Sequence, residues 1–431
     1  MSVRPFIAAI RFGLGPRLGE ALPADPDAWL AAQIASPPPP PQGPSVAQML
    51  LAREESQALN RAQAATPGGQ RGPVIELVRA EALAWAERRL TTASPFHERW
   101  VDFWMNHFTA SRRSGITAPL VGCMERDAIR AHLAGRFADM LWHVTLHPAM
   151  LTYLDNLGSI GPNSPAGQRA RRGLNENLAR EVLELHTLSP AGGYTQGDVQ
   201  ELAKILTGHS VVASGSNPGY IFRANAHEPG EKTLLGRRFG EGEGAAAQAL
   251  AMLGTHAATY RHLAVKIARH FVADNPPAAA VRALETALRE SNGSLPAAQR
   301  ALVRLREAWE PPLSKFRTPQ DHVLAACRAT GAGAEQVVAG LAALGQTLWT
   351  APQPNGWSDL AADWIGPEAM MRRVDWNYTL AGRLARVEPA AVAEAALGPL
   401  ARAETVTEMR RAGAVRDALT LLFSSPEFAH R

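Results

Sequence analysis

From Leu174 onward, apolar residues recur at helical spacing: Leu174, Leu178, Val182 and Leu185 make one stripe of an amphipathic helix. The opposite face carries Glu176, Asn177, Arg180, Glu181 and Glu184, with Glu181 at the border of the apolar stripe. A carboxylate at such a border is half buried, and burial demands a partner. Gly192 and Gly193 stop this helix, and Thr195 followed by Asp198 reads as a capping box that starts another. A helical hairpin is therefore expected at the centre of the chain. Glu176 and Arg180 stand at i, i+4, the spacing of an intrahelical ion pair. Similar periodicity runs through most of the 431 residues. The expected fold is mainly α, a multi-helical globular protein with one small two-stranded β-ribbon near Val211–Phe239.

A second helix begins at Ser94, an N-cap residue, with Pro95 at the first helical position. Phe96, His97, Trp100, Phe103, Trp104, His107 and Phe108 project onto one broad face of it. Two readings are open. The face is an aromatic core holding two hydrogen-bonded histidines, or it is the wall of a substrate or cofactor site with His97 or His107 as ligand or proton donor. Ten residues of helix separate these histidines by roughly 15 Å, so they cannot share one metal ion.

His143 and His147 have the i, i+4 spacing of a zinc pair, but no Glu follows His143 and Pro148 pushes His147 out of the helical region. His262, Lys266 and His270 repeat at i, i+4 and i+8. Such a stripe either meets a phosphate or carboxylate or is a solvated helix face. Asp155 and Asn156 precede a Gly-rich loop, either as caps or turn formers or as site residues. The segment Gly219–Phe239 reads as a ribbon about a turn at Pro229–Gly230, with His227 and Glu228 at the bend. Thr350–Asp359, TAPQPNGWSD, reads as an ordered loop folded back on the core.

The stretch NENLAREVLELHTL followed by GGYTQGDVQELAKILTG closely resembles the signature of a bacterial family, domain of unknown function 1800 (DUF 1800). The resemblance continues through RFGLGP, HERWVDFWMNHFTAS, HPAMLTYLDN, HEPGEKTLLGRRF, RHLAVKIARHFVADNPP, LGQTLWTAPQPNGW and LLFSSPEF, in order, over nearly the whole chain. The resemblance brings no established reaction with it. It implies one candidate partner, because members are often encoded beside a family, DUF 1501, whose proteins resemble phosphatases or sulfatases. The family usually has His-Asp-Pro-Gly where this chain has His227–Gly230, so Glu228 keeps the charge but reaches one methylene further.

Several chemistries are excluded by spacing. There is no P-loop, no G-x-S-x-G, no H-E-x-x-H and no C-x-x-C. The E-x-x-H pair of carboxylate-bridged metal bundles is missing too. Glu184 and His186 are two apart, and Glu181 and His186 lie about 140° apart around an α-helix. Cys123 and Cys327 are read as buried thiols. The net charge is +4, with four lysines among 44 basic residues and Arg pairs scattered along the chain, so no nucleic acid is expected. No stretch reaches the length of a membrane span, and the first residues do not read as a secretory signal, so a soluble, cytoplasmic protein is expected, export with a partner being the alternative. Residues 1–92, with the Pro37–Pro41 spacer, read as a helical arm on a main helical body at 93–431 within one DUF 1800-like domain.

The remaining chemistry is a set of carboxylate, imidazole and amide groups. Two hypotheses follow. One is an enzyme or cofactor-binding protein with a site between the aromatic helix and the central hairpin, using His107, Glu181 and His186, supported by Arg180 and Asn177, with Trp100, Trp104, His97 and His227 as walls. Neither a metal nor a cofactor is identified by the residues. The other is a non-catalytic partner or assembly factor for a co-encoded DUF 1501-like protein. The first requires a pocket with perturbed groups, the second a large exposed apolar patch.

Overall fold

The computed structural model describes residues 2–63, 72–113, 115–170 and 173–431. The chain is mainly helical, and strands occur only as two short antiparallel pairs among the described residues. Two hydrophobic cores divide the work of burial. The first gathers the aromatic helix Pro95–His107, the helices Phe137–Thr145, Pro148–Tyr153 and Gln196–Leu206, and the helices Ala257–Phe271, Ala278–Glu290 and Leu295–Arg304. The second joins Trp85 and Ala86 of the helix Pro73–Thr91 to the helices Pro319–Thr330, Ala334–Ala343, Pro367–Ala381 and Val415–Ser424. Leu30, Ile34, Met49 and Leu50, on either side of the Pro37–Pro41 run, are buried in the first core. The Gly and Pro of Thr66–Pro73 read as a break between two helical stretches, and this segment falls mainly outside the described residues; Pro73 itself is the first residue of its helix.

Local signals act as their chemistry requires. Thr195 and Asp198 form the reciprocal capping box at the head of the helix Gln196–Leu206. Ser94 sits at its N-cap position without a side-chain bond, and the Gln33 amide oxygen accepts from the Phe96 N–H instead, at 2.9 Å. The central helix is α over Asn177–Glu181 and widens to a π turn over Val182–His186. Thr187 closes that turn, its hydroxyl donating to the Val182 carbonyl five residues back at 2.6 Å.

The single ribbon expected about Pro229–Gly230 is replaced by two pairs. β1 (His209–Val212) pairs with β2 (Gly219–Phe222), and β3 (Lys232–Leu234) pairs with β4 (Arg237–Phe239). The turn of the second pair is Leu235–Gly236, with φ of 51° and 75°. Two successive left-handed residues give the twist that a two-residue hairpin needs. Leucine rarely adopts that conformation, which is why the sequence points to the Pro-Gly pair instead.

Along one edge of the aromatic helix, Arg99, Asp102 and Asn106 stand at i, i+3 and i+7, turned away from its aromatic face. They meet the second core. Arg99 donates to Asp321 at 2.8 Å, and Arg431 reaches the other oxygen of the same carboxylate at 2.8 Å. Arg89, fully buried over the Trp85 ring, holds Asp102 and lies 3.5 Å from both Glu98 and Glu125. Arg130 forks across Glu98 and Glu125 at 2.8 Å to each. These buried ions are each matched by opposite charge, the condition for keeping them ionised out of water. The seam between the two cores is thus polar.

Candidate functional site

The helix Ala257–Phe271 brings the first site residue to that seam. His262, Lys266 and His270 do not form a solvated face: His270 is buried and the other two are half-buried. The His270 Nδ1 lies 2.7 Å from Asp359 Oδ1, while its buried Nε2 has no hydrogen-bond partner among the described residues. Burial keeps His270 below the ordinary imidazole range, against the pull of Asp359. Burial alone would raise Asp359, but the bonded imidazole, with Lys315 and Arg431 nearby, draws it to about 2. The neutral-pH pair is therefore a carboxylate accepting from Nδ1–H, with the Nε2 lone pair unused.

Asp359 is delivered by the loop that the sequence reads as folded back. Asn106 pins that loop, its Nδ2 donating to the Trp357 carbonyl at 2.8 Å and its Oδ1 accepting from the Trp357 N–H at 2.7 Å. Gly356, at φ 80°, lies so close that a Cβ there would stand 2.4 Å from the Asn106 carbonyl oxygen. Lys315 donates to the Asp359 carbonyl and to Asp274, whose other oxygen accepts from the Ala361 N–H at 2.7 Å.

Two adjoining hollows of about 50 Å³ each open along this seam and share Asp102, Asn106, Gln320, Gln346 and Trp357. His270, Asp359, Asp321 and Arg99 line the inner one; Trp349 and Met105 line the outer. Each volume suits water-sized groups and is too small for a planar cofactor. One oxygen of Asp102, Oδ2, is buried without a hydrogen-bond partner among the described residues. Burial raises the Asp102 carboxyl to about 6, against the adjacent Arg89 guanidinium. The inner hollow is thus lined by the His270 imidazole and the Asp102 carboxyl, whose Nε2 and Oδ2 atoms are themselves buried.

The residues expected from sequence are placed as follows. His107 and His186 come together in the first core, with ring centroids 6.0 Å apart and the His107 Nε2 donating to the His186 carbonyl at 3.2 Å. Glu181 is half-buried, raised by burial and by Glu184. Arg180 turns outward, bonded to Glu176 at 3.1 Å and to Gln196 at 3.0 Å, and Asn177 is exposed. Trp100 and Trp104 are fully buried and pack against Phe103, Phe108, Phe137 and Phe271, an aromatic core in which Trp104 and Phe108 stack. His97 is buried beside a hollow of about 10 Å³, and burial, more than its charged neighbours, takes it down to about 4. His227 is a structural clip. Its Nδ1 donates to the Thr207 carbonyl at 2.8 Å, and its Nε2 accepts from the Gly242 N–H at 3.1 Å and faces Lys232 at 3.1 Å. Glu228 accepts from the Asn163 N–H at 3.0 Å and from the Asn163 amide at 2.5 Å, tying its loop to the bend.

The His143 and His147 rings serve different neighbours. His143 stacks on His132 at 3.8 Å, and His147 caps its helix by accepting from the Ala149 N–H at 3.1 Å. Among the described residues no group of three or more His, Cys, Asp or Glu is set to hold a metal ion. No described helix is long and apolar enough to cross a membrane. Both cysteines are free and buried.

Sequence reading missed Asp102, Asn106 and Asp359. Asn106 and Asp359 lie in segments that it quoted, WMNHF and PNGWSD, but 251 residues separate Asn106 from its partner Trp357 and 89 separate Asp359 from His270.

Residues 7–430 match a family model described as Protein of unknown function (DUF1800). No curated protein and no solved structure matches the chain.

Proposed function

The chain belongs to the DUF1800 family, and from that premise we propose that it is an enzyme that moves protons on a small polar substrate in the seam between its two cores. The observation that carries this reading is the His270–Asp359 pair, with its unpartnered Nε2, beside a hollow shared with Asp102. In the proposed mechanism, His270 Nε2 accepts a proton from the substrate or from a water. Asp359 keeps the imidazole in the Nδ1–H tautomer and stabilises the imidazolium as it forms. Asp102, in its protonated form, supplies a proton to the product, and the proton taken up by His270 then passes through water back to the Asp102 carboxylate. The Asn106 latch fixes Trp357, and with it the distance from Asp359 to His270. The aromatic helix remains a wall of the site, through its polar edge rather than its aromatic face.

The test is a defined pool of small metabolites incubated with the wild type, His270→Gln and Asp359→Asn, followed by mass spectrometry. The proposal expects one or more metabolites to be consumed by the wild type, about 10²- to 10⁴-fold more slowly by His270→Gln. A pool that is untouched by the wild type, or consumed equally by both, overturns it.

A second reading, a partner or assembly factor for a DUF 1501-like protein, is favoured by a different observation. Met371, Val374 and Tyr378 are 61%, 37% and 44% exposed at i, i+3 and i+7 on one helix, beside Leu421 at 43% on the helix packed against it. Such an apolar stripe is unusual for a surface that meets only water. Co-elution with a purified DUF 1501-like protein that Met371→Glu abolishes supports this reading; separate elution refutes it.

A further inference from the structure

His262 and Lys266 of the helix Ala257–Phe271 gather with the buried His107 and His186, and the acid–base site does not use these four basic side chains. His262 Nε2 donates to the Leu185 carbonyl at 3.0 Å, and His107 Nε2 donates to the His186 carbonyl at 3.2 Å. These two imidazoles cap the last carbonyls of the π turn, which have no partner within the helix. His107 is 6.0 Å from the His186 ring and 6.2 Å from the His262 ring, centroid to centroid. Lys266 follows one turn after His262, deep in the molecule yet partly open to solvent.

The hydrogen-bond inventory of this group is incomplete in one direction. His186 is fully buried and neither ring nitrogen has a hydrogen-bond partner among the described residues. A neutral imidazole carries at least one N–H, so a buried donor is left without an acceptor, which is unfavourable. Lys204 and Lys315 bond to carboxylates and Lys232 bonds to a backbone carbonyl and His227, but among the described residues no hydrogen bond acts on Lys266. The charged groups that act on the cluster are Lys266 itself, Arg269 and Asp359, and Asp359 is already committed to His270. Burial first and the Lys266 charge second depress all three imidazoles. The Lys266 cation makes the place hostile to a metal ion.

We propose that His107, His186, His262 and Lys266 form a binding site for a compact oxyanion, a carboxylate or inorganic phosphate, that enters from the open side of Lys266. The anion supplies the acceptors that His186 and Lys266 lack and the negative charge that the cluster lacks. Because it favours the protonated imidazoles, it binds with proton uptake.

The full chain is titrated with sodium acetate and with sodium phosphate, using sodium chloride at equal ionic strength as the control, by calorimetry and thermal unfolding between pH 6 and 8. The proposal expects saturable binding of acetate, of phosphate or of both, which of the two responds naming the source. Affinity rises as pH falls, by up to about tenfold per pH unit for each proton taken up. Lys266→Met weakens binding by about tenfold or more. If that variant fails to fold, His262→Gln, which keeps a donor for the Leu185 carbonyl, reads the same loss. No saturable response to either oxyanion, an equal response to chloride, or undiminished binding in the variant that folds overturns the proposal.

Discussion

Removing the Asn106 side chain isolates the device that carries Asp359 to His270. Asn106→Ala deletes two hydrogen bonds to Trp357, at 2.8 and 2.7 Å, in a half-buried place. At a net value of about 0.5–1.5 kcal/mol each, the loop loses about 1–3 kcal/mol of local stability. Hydrogen exchange resolved by residue reads this directly: protection of the Trp357 amide should fall roughly 5- to 150-fold, while the Leu263 and Ile267 amides of the first core change little. Asn106→Asp serves as a control. It keeps an acceptor for the Trp357 N–H but sets an anion against the Trp357 carbonyl, so its loss should be at least as large. Trp357 protection within twofold of wild type in Asn106→Ala would refute the latch, and with it the reason for the His270–Asp359 geometry.

Acid should unfold the protein early. Burial leads the depression of His97, His209 and His262 to about 4 and of His186 and His322 to about 3. Between about pH 6.5 and those values the unfolded chain binds more protons than the folded one, so stability falls with pH at about 1.4 kcal/mol per unit for each histidine titrating. Glu98 and Asp359, both at about 2, add losses of the same sign below about pH 4. Urea melts stepped from pH 7.5 to 4.5 check this, and a flat profile contradicts it. Arg130→Met strips the fork from Glu98 and Glu125 and should cost about 3–5 kcal/mol in the same assay. Gly340→Ala puts a Cβ 2.8 Å from Trp376 Nε1 where two helices of the second core touch, and should cost about 1–3 kcal/mol despite the better helix propensity of alanine.

What the sequence made legible was local. The period of apolar residues, the Thr195–Asp198 box and the Glu176–Arg180 pair each depend on neighbours within one or two turns, and each is present. The two-strand turn was misread because Leu235 adopts a conformation that its side chain disfavours. Spacing set His262, Lys266 and His270 on one face but could not say which way that face looks, since only packing against the central helix and the Asp359 loop decides it. The 100° progression that separates Glu181 from His186 ceases to hold once the helix widens at Val182. The candidate site was the least legible part, because its three decisive contacts join residues 222, 251 and 89 positions apart in the chain.

The central claim is that small polar molecules bind in the seam at His270, Asp359 and Asp102. Crystals of the protein soaked with a library of small polar fragments test it without knowledge of the reaction. Hits should concentrate in the seam, within hydrogen-bond distance of His270 Nε2 or Asp102 Oδ2, and should vanish from crystals of His270→Gln. Hits confined to the Met371–Tyr378 stripe or to other surface grooves, with the seam holding only water, would contradict it.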